Sequence, residues 1–209
     1  MISMCAQNIP NRCIVAMSLS PTKYEILETM LLLDKPERAP QIAKEAEKEF
    51  PSVMMHIIGL TRMGYTASPE KGLYALTEKG KKALGIPEIN GDNARTILAD
   101  LPHDKSFHFY ADVGKPLSLH AQSLQDFRDK ILQVTIDSID FHKSRGDFEA
   151  WFAGLGDVEL AKKVALLKEK NMDGEELRRR LHDIVEKRCI VLANVAEQVV
   201  SSESATSGV

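Results

Sequence analysis

The chain of 209 residues has three cysteines, Cys5, Cys13 and Cys189, and none stands at Cys-x-x-Cys spacing. That excludes a disulfide framework and a thiolate zinc site, and it fits a reducing cytoplasm. No apolar run approaches the ~20 residues needed to span a membrane. Aromatic residues make up 6% of the chain, with one tryptophan, Trp151. Positive charge is not in excess: 27 Lys and Arg face 30 Asp and Glu, a net −3. Wholesale coating of nucleic acid or of an anionic membrane is therefore excluded. There is no Gly-x-Ser-x-Gly, no glycine-rich phosphate loop, no cysteine beside a histidine and no internal repeat. What remains is the composition of an ordinary soluble globular protein, with room for one large domain or two small ones.

Residues 1–19 carry neither a helical period nor the charged and apolar regions of a signal peptide. They read as an extension ahead of Met17 or as a disordered arm, with residues 1–16 dispensable for folding in either case. The first helix begins at Ser20-Pro21, a cap followed by proline at the first helical position, with Tyr24, Leu27, Met30 and Leu31 at helical spacing. Asp34-Lys35-Pro36 breaks it. Ala39-Pro40-Gln41 opens a second helix with Ile42, Ala43 and Ala46 inward. Val53, Ile57 and Leu60 mark the buried face of a third, and Gly64 supplies a left-handed end. Tyr65-Thr66-Ala67 and Leu73-Tyr74-Ala75-Leu76 predict two strands around the turn-rich Ser68–Gly72. Thr77, with Gly80 three residues on, starts a fourth helix.

This order over residues 20–85, with Tyr74–Gly80 as its most specific part, resembles the winged helix-turn-helix transcriptional regulators common in archaea. The resemblance implies double-stranded DNA as partner. Ser52, Met55, His56 and Arg62 would face the duplex, with Gln41 and Lys71 at its backbone. The module departs from the family's usual pattern in charge: ten Lys and Arg stand against nine Asp and Glu, and Arg62 is the only permanent charge on the outer third helix. Phosphate neutralisation supplies most non-specific DNA affinity, whereas methionines adapt equally well to a protein surface. A second reading is therefore an adaptor that binds a protein through Met54, Met55 and Ile58.

Residues 86–100 read as a connector and 201–209 as a disordered tail. Between them, Phe107–Tyr110 and Leu117–His120 predict a strand pair, Ser123 caps a helix, and further helices begin near Ser138, Gly156 and Asp173. Phe141-His142, Arg145-Gly146-Asp147-Phe148, Trp151, Leu155-Gly156-Asp157 and Glu175-Glu176-Leu177-Arg178 resemble an uncharacterised archaeal domain, a likeness that implies no activity. His142, Arg145 and Asp147 form the one constellation with chemical potential, a possible ligand site. The structural alternative has Asp147 capping the next helix, Arg145 bridging a carboxylate, and Phe141 and Trp151 in the core. An enzyme built on these three residues ranks last, since His103, His108, His120 and His182 offer no paired metal spacing. Asp157 and Glu159 read as first-turn carboxylates, and Arg178–Arg180 as a solvated face.

From Glu175 to about Val200 no proline or glycine interrupts a helical period, and Ile190 to Val200 carries a single charge, Glu197. Ile190, Val191, Leu192, Val195, Val199 and Val200 predict a stripe covered by a second copy of the chain. The expected protein is α+β and mainly α: a winged helix over 20–85, then a mostly helical domain over 101–200 with a small strand pair and a long last helix. It is expected to be a cytoplasmic, non-enzymatic regulator that dimerises, with no cofactor, no metal and no membrane partner.

Overall fold

The computed structural model describes residues 19–206, with side chains as far as Glu197. The expectations for residues 1–18 and 207–209 lie outside the described residues. The fold is α+β and mainly helical, with two small antiparallel sheets and a long last helix. No helix among the described residues is long and apolar enough to cross a membrane.

The first unit runs α1 (Pro21–Leu33), β1 (Glu37–Arg38), α2 (Ala39–Glu45), α3 (Phe50–Arg62), β2 (Thr66–Ala67), β3 (Leu73–Leu76) and α4 (Glu78–Ala83). Ile26, Leu27, Ile42, Val53, Ile57 and Leu60 meet in its core, all essentially without exposure. The sequence pattern misses β1, which pairs with the outer edge of β3 and completes a sheet of order β1-β3-β2. Thr77 does two jobs at the hairpin's exit. Its hydroxyl donates to the Gly64 carbonyl at 2.7 Å and accepts the Gly80 N–H at 3.1 Å. A Cβ at Gly80 would stand 2.3 Å from the Tyr65 carbonyl, so this position admits only glycine without a shift of backbone.

The second unit holds α5 (Gly91–Leu98), a 3-10 turn at His103–Lys105, β4 (Phe107–Asp112), β5 (Lys115–Ala121), α6 (Leu124–Ile131), α7 (Ile136–Arg145), α8 (Asp147–Gly154), α9 (Val158–Glu169) and α10 (Gly174–Thr206). Phe109, Phe127, Phe148 and Phe152 are fully buried at its centre. The stretch read as a connector is not structureless. Asn90 accepts the Asn93 N–H at 2.9 Å and caps α5, whose Ala94 and Ile97 are buried in the same core. Asn-Gly-Asp is thus a helix start here, not a turn. Residues 201–206, expected as tail, continue α10, since propagating an established helix needs no new nucleus.

Two further expectations fail for reasons of packing. Leu192, assigned to the exposed stripe of α10, is fully buried in its own domain, and Val195 and Ala196 pack against the same core. Among the described side chains of α10, Ile190 and Val191 are the large apolar ones that stay exposed, at 58% and 44%, while Val199 and Val200 of the same expected stripe lie outside the described side chains. Arg178, placed on a solvated face, donates Nη2–H to the Val134 carbonyl at 2.6 Å.

The two units share a face. Leu31, Ile86 and Leu166 form a small apolar cluster across it. Around the cluster, Lys162 meets Glu28 at 2.7 Å and Lys170 donates to the Glu45 carbonyl at 2.7 Å. Beneath it lies a buried ionic network that the sequence reading does not anticipate. Arg188 donates to Asp157 at 2.7 Å and to Glu159 at 2.9 Å. Lys163 lies 2.9 Å from both Glu159 and Asp34, and Lys81 lies 3.2 Å from Glu159. Asp157 also caps α9 by accepting the Leu160 N–H at 3.0 Å. Burial alone would raise the Glu159 carboxyl, but Lys163, Arg188 and Lys81 outweigh it and lower the pKa from 4.5 to about 2.

The folded pKa lies below the unfolded one, so this contribution to stability is complete above pH 4.5 and lost as pH falls toward 2. It amounts to about 3 kcal/mol, and Glu159→Gln should flatten the acid limb of a pH–stability curve below pH 4.5. Arg188→Ala leaves the buried Asp157 without its cationic partner and Glu159 with Lys163 and Lys81 alone, and is expected to cost about 3–5 kcal/mol in urea denaturation.

Candidate functional site

Two surfaces carry the residues that the sequence singles out. The first is the outer face of α3 with the β2–β3 hairpin. Ser52 and Arg62 are exposed at its two ends, Met55 is 75% exposed between them, and His56 is half-buried beside it. Lys71 is exposed at the hairpin tip, next to Gly72 with its φ of 81°. Gln41 on α2 is half-buried and its amide donates to Glu45 at 3.0 Å. Met54 does not point outward as expected. It is half-buried under β3, where the Tyr74 hydroxyl stands 4.0 Å from its sulfur. Ile58, at 39% exposure, stands beside Met55 as expected, and Phe50, at 46%, takes the place of Met54.

The second surface is a cleft of about 380 Å³ between the β4–β5 hairpin and the corner where α7 turns into α8. The corner depends on Gly146, whose φ of 75° ends α7 in the left-handed region. The turn swings Asp147 back over the last turn of α7. His142 Nδ1–H donates to Asp147 Oδ2 at 2.7 Å, and Arg145 Nε donates to the same oxygen at 3.2 Å. Across the cleft, the Tyr110 N–H donates to His142 Nε2 at 2.9 Å. Pro116, opposite Tyr110 on β5, has no N–H for the ladder, and the pairing is irregular on both sides of Tyr110. The diverted N–H ties strand to helix in place of a regular ladder bond.

These bonds fix the imidazole in one neutral tautomer. Burial lowers the His142 pKa from its ordinary 6.5, Asp147 opposes the shift and Arg145 adds to it. Both ring nitrogens are engaged, so neither is open to take a substrate proton or to ligate a metal. Among the described residues no group of three His, Cys, Asp or Glu is placed to hold a metal ion. Asp147 is not the helix cap that the sequence pattern predicts. Gly146 occupies the cap position, and Asp147 spends its oxygen on His142 and Arg145. Phe141 is not a core residue either, and Trp151 packs against the core only from its edge. Both are half-buried cleft walls, and Trp151 Nε1–H donates to the Lys105 carbonyl at 3.1 Å while its ring stacks on Phe127. The missed wall residues come from β4 and its turn: Ser106, His108, Tyr110, Val113 and Gly114. Nothing in their spacing signals a site, because they meet α7 and α8 only through the tertiary fold.

A helical domain with one strand pair, closed around an aromatic cleft, is the class that this geometry defines. Residues 92–186 match the family described as "Family of unknown function (DUF5752)", a stretch that covers the strand pair, the cleft and, of the ionic network, Asp157, Glu159 and Lys163. No curated protein and no solved structure matches the chain.

His142→Ala should leave the Tyr110 N–H without its partner and the Asp147 carboxylate with Arg145 alone, and cost about 1–3 kcal/mol in thermal or urea unfolding. Because the folded pKa of His142 is depressed, its share of stability is complete above pH 6.5 and declines as pH falls below it. NMR titration of the ring should show it less protonated at pH 6.5 than a free histidine, which is half protonated there.

Proposed function

We propose that the protein is a non-enzymatic, DNA-binding transcriptional regulator of the cytoplasm. Residues 20–85 act in it as a winged helix-turn-helix, and the second unit dimerises or senses a ligand. The observation that carries this reading is the exposed outer face of α3 standing beside a hairpin with a lysine at its tip. Ser52, Met55, His56 and Arg62 would approach the major groove, Met55 against a thymine methyl and Arg62 against a guanine or a phosphate. Lys71 would meet the backbone as the wing, and Gln41 would do so from α2.

Few cations lie on this face, so the electrostatic contribution is small. Fluorescence titration of labelled duplex DNA should give a log–log salt slope of about −2 to −3 per module. Arg62→Ala with Lys71→Ala should weaken binding and make the slope shallower by about 2. Absence of binding at low salt would remove the DNA reading and leave the adaptor. A specific observation favours that second reading: Phe50, Met55 and Ile58 expose apolar surface along a helix that carries only one outer charge.

Dimerisation through α10 would rest on Ile190 and Val191 and would set two modules on one molecule for paired half-sites. Light scattering should report a dimer that the Ile190→Asp, Val191→Asp double variant abolishes. A monomeric intact chain at micromolar concentration sinks this arrangement. Leu192 is unsuitable for the experiment because it is a core residue.

A further inference from the structure

We propose that the cleft between the β4–β5 hairpin and the α7–α8 corner binds a small apolar monocarboxylate, with Arg145 pairing to its carboxylate. This rests on the sensing role proposed above for the second unit, and it uses no residue of α3.

The cleft has the volume of a small-molecule site, about 380 Å³. Its walls are aromatic: Phe107, Tyr110, Phe141 and Trp151. Val113, at the tip of the hairpin, belongs to the same wall and is 76% exposed, the most exposed of the chain's large apolar side chains among the described residues. A bound apolar body would remove it from water, which is worth about 25 cal/mol per Å² covered. The opening bulges around Tyr110, and its shape is held from behind by the two bonds of His142. The walls are therefore set before a ligand arrives, which lowers the ordering cost of binding.

Charge selects the ligand's polar end. An aromatic floor by itself would also suit a cation, but the Arg145 guanidinium already lies over the Phe141 ring at 5.2 Å. A second cation there would meet like charge. The Arg145 side chain is 54% exposed at the mouth, and its carboxylate partner, Asp147, is shared with His142. Arginine's planar fork suits a carboxylate. His142 is neutral and contributes no further positive charge, so one guanidinium among aromatic walls matches a monoanion with an apolar body. A phosphate dianion would need more donors than this lining offers.

Trp151 is the only tryptophan in the chain and forms one wall, so its fluorescence reports occupancy directly. The full-length protein would be titrated with benzoate, 3-phenylpropionate and octanoate, with the amide of each, and with inorganic phosphate. At least one acid should give a saturable change, its amide should bind at least tenfold more weakly, and phosphate should give none. Arg145→Gln should bring acid and amide to similar affinity, and Ala150→Phe, filling the exposed mouth, should abolish both. The proposal is overturned if no acid saturates by about 5 mM, a floor for specific binding. It is also overturned if Arg145→Gln leaves acid affinity unchanged, or if phosphate saturates the signal and the acids do not. A chain that binds the acid but no DNA keeps this site and loses the DNA reading; the converse result does the opposite.

Discussion

Arg188, buried in the middle of α10, is the charge on which the arrangement of the whole chain depends. It holds Asp157 and Glu159 at the start of α9, and Glu159 in turn holds Lys163 and Lys81. Lys163 reaches Asp34 at the end of α1, so six charged groups link four helices from both units. Replacing buried ion pairs as a whole by well-packed apolar groups often costs little, because desolvation offsets much of the attraction. Their effect is geometric. Shifting α1 or α4 along α9 would leave a charge in the interior without its partner, which costs several kcal/mol, while the apolar cluster of Leu31, Ile86 and Leu166 would tolerate a slide. Attraction comes from the apolar cluster, and register comes from the charges.

His142 plays the same part on a smaller scale at the far end of the second unit. One imidazole joins β4, α7 and α8 through the Tyr110 N–H and the Asp147 carboxylate. Gly146 makes the corner sharp enough for Asp147 to reach back, and the irregular pairing on both sides of Tyr110 leaves its N–H to donate to His142. The cleft is the space left between elements fixed in this way. A histidine that appears catalytic by its neighbours is therefore a positioning group, and the remaining exposed charge, on Arg145, belongs to the cleft's mouth.

The α3 face and the cleft differ in what holds them. The α3 face is set by a local core of short-range contacts and by Thr77 and Gly80 at the hairpin's exit. The cleft is set by long-range bonds between β4 and the α7–α8 corner. Between the two lie α9 and α10, which carry most of the ionic network and contribute to the core of the second unit.

Helix periods, caps and turn residues determined most of the secondary structure. Ser20-Pro21, Thr77 with Gly80, Ser123 and Gly64 each act over three or four residues, and the sequence displays such signals in full. The Asn90 cap was equally present, but Asn-Gly-Asp also spells a turn, and only the core waiting for Ala94 and Ile97 decides for a helix. His142, Arg145 and Asp147 were legible as a group because they lie within six residues. Their roles were not, since Tyr110 stands 32 residues away and supplies the bond that fixes the tautomer. The same holds for Leu192, whose burial depends on α5, and for Asp157 and Glu159, whose partner Arg188 lies about thirty residues along the chain. A sequence records what each residue prefers locally. Which charges lose their water, and which partners they then require, is decided only when distant helices pack.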